Sequence, residues 1–141
     1  MSILAGTVFK LSKRDRLVDP KHIKMLFKEG RSFKIPPLKV FCVKKSREII
    51  SNDKVLFSVP KKRICSAVKR NKVKRLLREA YRINRRILAP SYVGNEENKF
   101  VILIGYIYHE DEKEIQQSML NDAVIASLKH LKALLYCKEP L

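Results

Sequence analysis

Apolar positions along this chain change period several times, and each change marks an element. Residues 19–30 place Ile23, Leu26 and Phe27 on one helical face. Asp19 is a suitable N-cap, Pro20 suits the first helical position, and Gly30 supplies a stop. Val18 and Ile23 stand where a hydrophobic staple would pair them. Three extended segments follow. Ser32–Ile35 is ended by Pro36-Pro37, whereas Leu38–Lys44 and Lys54–Pro60 are rich in β-branched and aromatic residues. The stretch between the last two is polar and turn-like. A helical period resumes at Ser66, a second suitable N-cap, and runs to about Leu88, before Pro90 and Gly94 break the chain. Phe100–Tyr108 is the most apolar segment and reads as a central strand. The last helix is expected from about Asp111 to Tyr136, with Leu120, Val124, Leu128, Leu131 and Leu135 as its buried stripe. The order α-β-β-β-α-β-α predicts an α+β sandwich in which helices pack on one sheet, a single domain over residues 1–141.

Charge sharpens the second helix. Residues 60–86 hold 12 Lys or Arg and one acid, Glu79, which is +11 of the chain's +17. Residues 1–59 carry a net +9 and residues 87–141 a net −3, so an anionic partner belongs on the first two thirds. At 45% hydrophobic the chain can bury a core and is not a disordered polycation. With each helical residue turned by about 100° from Val73, Leu76, Leu77, Ala80, Ile87 and Leu88 fall within about 60° of it. Asn71, Lys74, Arg75, Arg78, Arg82, Arg85 and Arg86 fall between about 100° and 220°, and Arg70 sits at the border. Like charges at i,i+4 repel by a few tenths of a kcal/mol per pair, and Glu79 alone offsets them. Guanidinium groups in such a row suit phosphates, which they can grip bidentately.

Three other readings fit this face less well. A solvated face would interleave acids. A membrane-lying or calmodulin-target helix would show Trp or Phe anchors, and here the apolar arc is aliphatic. A DNA-reading helix would need the short turn and partner helix of a helix-turn-helix unit. Nucleic acid is the expected partner, RNA and not DNA; no membrane partner is expected.

Candidate chemistry elsewhere is thin. Cys42, Cys65 and Cys137 are odd in number and lack metal-ligand spacing, which points to a reduced cytoplasmic setting rather than a disulfide or zinc framework. The opening MSILAGTVFKLSKRDR lacks a signal-peptide core, and no apolar run approaches the roughly 20 residues that span a bilayer. Glu110, Asp111, Glu112 and Glu114 could suggest a metal-dependent nuclease, but acids at a helix start complement its dipole, and capping is the favoured reading. His22 and His109 have no ligand partner at metal spacing. Cys65 lies among cations that could activate a thiol, yet an incidental thiol is the simpler reading.

The run Ala67–Arg82, AVKRNKVKRLLREAYR, resembles the signature helix of the bacterial ribonuclease P protein component. Ala67, Val68, Arg70, Asn71, Lys74, Arg75, Arg78, Glu79 and Arg82 match it, Val59–Lys62 looks like the preceding strand end, and residues 16–33 are similar to the family's opening helix. The resemblance implies a ribosomal protein S5 domain 2-like fold with a left-handed βαβ crossover. It implies that the protein binds the ribonuclease P catalytic RNA and the 5′ leader of precursor tRNA, while the RNA, with Mg2+, cuts the leader away. No protein catalytic residue and no protein-bound cofactor are then expected. Carried over by position, the RNA-contacting residues are Lys61, Lys62, Arg70, Asn71, Lys74, Arg75, Arg78 and Arg82. The leader would lie between the first helix and the sheet, at Ile23, Phe27 and Phe41. Ile23 stands where many members carry Phe, Arg63 lengthens the loop before the helix, and Cys65 stands near a common Gly. Phe27 and Phe41 are each open to a core reading as well, and Val40 and Phe57 are read as core. The alternative function is a non-catalytic ribosome- or RNA-associated binding protein.

Overall fold

The computed structural model describes residues 11–50, 52–88, 100–110 and 116–136. After a short 3-10 turn at Lys13–Asp15 come α1 (Pro20–Glu29), β1 (Arg31–Ile35), β2 (Leu38–Ser46), β3 (Lys54–Ser58), α2 (Ala67–Asn84), β4 (Phe100–Tyr108) and α3 (Gln117–Tyr136), with a second 3-10 turn at Arg85–Ile87. The strands form one sheet in the order β1-β2-β4-β3. β1–β2 and β2–β4 are antiparallel, and β3–β4 is parallel, so β3-α2-β4 is a βαβ unit. The α+β expectation and its element order hold.

The helix starts follow their caps. The Asp19 carboxylate accepts from the Lys21 N–H at 2.9 Å, and the Ser66 hydroxyl accepts from the Lys69 N–H at 3.3 Å. The staple at Val18 does not form. The Leu17 N–H donates to the Val55 carbonyl, which buries Leu17 and turns Val18 outward, 71% exposed. Gly30 ends α1 for a different reason than expected: its φ of −74° is ordinary for any residue. A Cβ there would meet the Leu26 carbonyl oxygen at 2.3 Å and the Cys42 carbonyl oxygen at 2.9 Å, so the helix end touches β2 backbone to backbone. α3 starts at Gln117 rather than near Asp111, and no acid lies in its first turn. Capping by the acid cluster is therefore not supported at Glu110, which sits in a bend after β4; Asp111, Glu112 and Glu114 lie outside the described residues.

Alternation along the strands divides the core into two. On one face, Val40, Cys42, Val55, Ile102, Ile104, Tyr106 and Tyr108 pack with Val73, Leu77, Ala80 and Tyr81 of α2 and with Leu120, Val124, Leu128 and Leu131 of α3. On the other, Val101 and Leu103 pack with Leu17, Leu26 and Ile50, flanked by Ile23, Phe41, Val43 and Leu56. Ile50 falls in a stretch whose polar pattern reads as a plain turn, yet it is 2% exposed. β4 supplies alternate residues to both cores and is the central strand, as its apolar run predicts.

Candidate nucleic-acid interface

α2 builds the first surface. With Val73, Leu77, Ala80 and Tyr81 buried, the opposite arc of the helix must face outward. Asn71 and Arg75 are exposed there, and Lys74, Arg78 and Arg82 are half-buried by their neighbours. Arg75, Arg78, Glu79 and Arg82, with Leu11, surround an open depression of about 440 Å³. Glu79 takes Arg82 in a two-pronged ion pair, its Oε2 accepting from Nε at 3.0 Å and its Oε1 from Nη2. The Arg82 guanidinium holds the Glu79 carboxyl below the usual carboxylate range. The one acid of the ridge thus stays ionised and orients one arginine.

Three of the candidate cations differ from simple ridge residues. Arg70 turns its Nη1 back to the carbonyls of Ile64 at 3.0 Å and Cys65 at 2.7 Å, so it fastens the loop before α2. Lys61 and Lys62 are exposed in that loop, and Cys65 is exposed beside it. Sequence spacing ranks Arg70 with the ridge; only its border angle signals that it can fold back.

The second surface lies on the other face of the sheet, beside α1. Phe27 and Phe41 meet edge to face, with ring centroids 4.8 Å apart and planes at 76°. Phe27 remains 38% exposed, so a ring that packs on Phe41 also offers a surface to a ligand. Ile23 is half-buried against the α1-side core. Lys39 holds its ammonium 5.3 Å from the Phe41 centroid, and Lys45 pairs with Glu29 at 2.6 Å. Lys39 belongs to this surface beside α1, a placement that the strand pattern could have disclosed, since it shares a face with Phe41 two positions on. Gly105 lies between Phe41 and Leu56 in the same cross-strand row, and its missing Cβ makes room for Leu26.

Val40 is fully buried on the opposite face, and Phe57 stacks there on Tyr106 at 5.7 Å and meets Tyr81 at 5.9 Å. Both are core residues, as read from the sequence. His22 approaches Asp19 at 3.9 Å. Among the described residues, no three His, Cys, Asp or Glu side chains converge as metal ligands, and no helix is long and apolar enough to cross a membrane.

Comparison with known proteins gives one consistent result. The family model named Ribonuclease P matches residues 11–131. The ribonuclease P protein component of Porphyromonas gingivalis is 46% identical over 104 residues, 74% of each chain. That of Chlorobium phaeobacteroides is 42% identical over 78 residues, 53% of each chain. Among solved structures, the RNase P protein of Staphylococcus aureus shares the fold with a TM-score of 0.64 at 21% identity, over 84% of this chain and 95% of that one. The RNase P protein of Thermotoga maritima does so with a TM-score of 0.56 at 21% identity, over 82% and 96%. The matched span runs from Leu11 through α1, the sheet, the cationic ridge and most of α3, and by it this chain belongs to the ribonuclease P protein family.

Proposed function

We propose that the chain is the protein subunit of a cytoplasmic ribonuclease P, whose RNA supplies the catalysis. The cationic arc of α2 lies along the catalytic RNA, with Lys61, Lys62, Asn71, Lys74, Arg75, Arg78 and Arg82 as the contacting residues and Arg70 holding their loop. The cleft at Ile23, Phe27 and Phe41 receives the 5′ leader of precursor tRNA. The observation that carries this reading is the pairing of two unlike surfaces on opposite faces of one sheet. A helix face that is cationic but for Glu79 suits the A-form backbone, where phosphates and 2′-hydroxyls are what a protein can reach. An aromatic pair beside lysine suits single-stranded bases. Mg2+ serves the RNA's active site, and the protein supplies field and shape around it.

Reconstitution tests the reading. The protein is mixed with the cognate catalytic RNA and precursor tRNA at low Mg2+, and leader cleavage is measured. Rescue of cleavage by the protein is expected. RNA binding without rescue would favour a non-catalytic RNA-associated protein, and cleavage by the protein alone would overturn RNA-based catalysis.

A further inference from the structure

The cleft floor continues past its aromatic pair into a second group of cations. Lys34 and Lys39 stand directly opposite one another across the β1–β2 hairpin, and Lys39 pairs in turn with Ile107, which pairs with Ser58. Strand alternation puts this row on the same face as Phe41, about 7 Å further along β2. His109 follows β4, and its backbone N–H donates to the Pro37 carbonyl at 2.8 Å, which brings it to the same end of the sheet. The turn after β3 delivers Arg63 there, and among the described residues the charged groups that act on His109 are Arg63, Lys34, Lys39 and Glu110. Like charges directly opposite in a hairpin repel, and among the described residues no carboxylate pairs with Lys34 or Lys39. An anion between them would relieve that repulsion.

We propose that Lys34, Lys39 and His109, with Arg63 beside them, form a phosphate subsite that holds the backbone of the single-stranded RNA whose bases meet Phe27 and Phe41, and that His109 takes up a proton as the phosphate binds. This subsite rests on the reading of the cleft as the leader site. In the free protein, desolvation and then the charges of Arg63, Lys34 and Lys39 hold the His109 imidazole below the ordinary histidine value, against a smaller opposing pull from Glu110. The ring is therefore mainly neutral at pH 7. A bound phosphate offsets the surrounding positive field and favours the imidazolium, so binding and protonation reinforce each other. Affinity for the strand then rises as pH falls.

A short single-stranded RNA oligonucleotide is the probe. Its affinity for the full chain is measured at about pH 5.5 and pH 8 at constant ionic strength, while the His109 ring is followed by NMR. The expected result is affinity about tenfold tighter at the lower pH, matching a rise of about one unit in the His109 titration midpoint on binding. His109→Gln removes the pH dependence although His22 and His130 remain. Lys34→Gln with Lys39→Gln weakens binding at both pH values. Circular dichroism checks the folding of all three variants. Wild-type affinity that ignores pH, or pH dependence that survives His109→Gln, overturns the subsite; if Phe27→Ala still weakens binding in that case, the cleft reading stands without it. Oligonucleotide binding unaffected by Phe27→Ala overturns both.

Discussion

Arg70 donates to the Cys65 carbonyl at 2.7 Å, closing the loop before α2 onto the first turn of the helix. A residue that reads as a phosphate ligand is thereby a fastener. Arg70→Met should loosen Lys61 and Lys62 and cost about 1 kcal/mol of stability, since hydrogen bonds from a charged donor are involved. RNA affinity should fall, and a salt slope equal to the wild type would mark Arg70 as a loop fastener rather than a phosphate ligand. Urea unfolding and binding over a salt series check both.

Arg75 is exposed in the middle of the ridge, with no ion pair to Glu79. Arg75→Ala should weaken RNA binding across sequences and shallow the logarithmic salt slope by about one unit at most. A slope equal to the wild type would remove Arg75 from the interface.

Phe27→Ala should act on substrate choice instead. Losing one stacking surface should reduce the preference for precursor over mature tRNA by about 1–3 kcal/mol. Parallel binding measurements with both tRNAs decide this, and equal loss for the two would place the effect outside the cleft.

Tyr106 and Tyr81 give a prediction at high pH. Burial holds both phenols far above the ordinary tyrosine value; nearby Asp53 adds to this at Tyr81, and the Ser127 hydrogen bond works against it at Tyr106. The unfolded chain releases these protons near pH 10 and the folded chain keeps them, so their contribution is complete below about pH 10 and is lost as pH rises above it. Alkaline titration at the phenolate absorbance should show at least two tyrosines, Tyr81 and Tyr106 among them, ionising only with unfolding. Tyr106→Phe should cost about 1 kcal/mol by removing its 2.8 Å bond to Ser127, whose hydroxyl keeps the Val124 carbonyl.

The parts of the fold set by local chemistry could be read in advance. Asp19-Pro20 and Ser66 placed two helix starts, and the Val73–Leu77–Ala80 spacing placed the inner face of α2. What depended on distant partners could not. Val18 turns outward because Val55, far along the chain, captures the Leu17 amide, and Gly30 is required by the nearness of Cys42 rather than by its own φ. The site divides in the same way. Helical periodicity gathered Lys74, Arg75, Arg78 and Arg82, whereas the opposition of Lys34 and Lys39 needed the hairpin register, and their nearness to His109 needed the sheet order. Ile50 escaped because the adjacent pair Ile49 and Ile50 in a polar stretch has no period to show which of the two is buried.

β4 has a consequence for genetics. Its odd positions face the cleft side and its even positions face α2 and α3, so a single strand is common property of both surfaces. Variants selected for losing one activity while keeping the other should accumulate on α2 or around Phe27, and should be depleted from Phe100–Tyr108, where damage is shared.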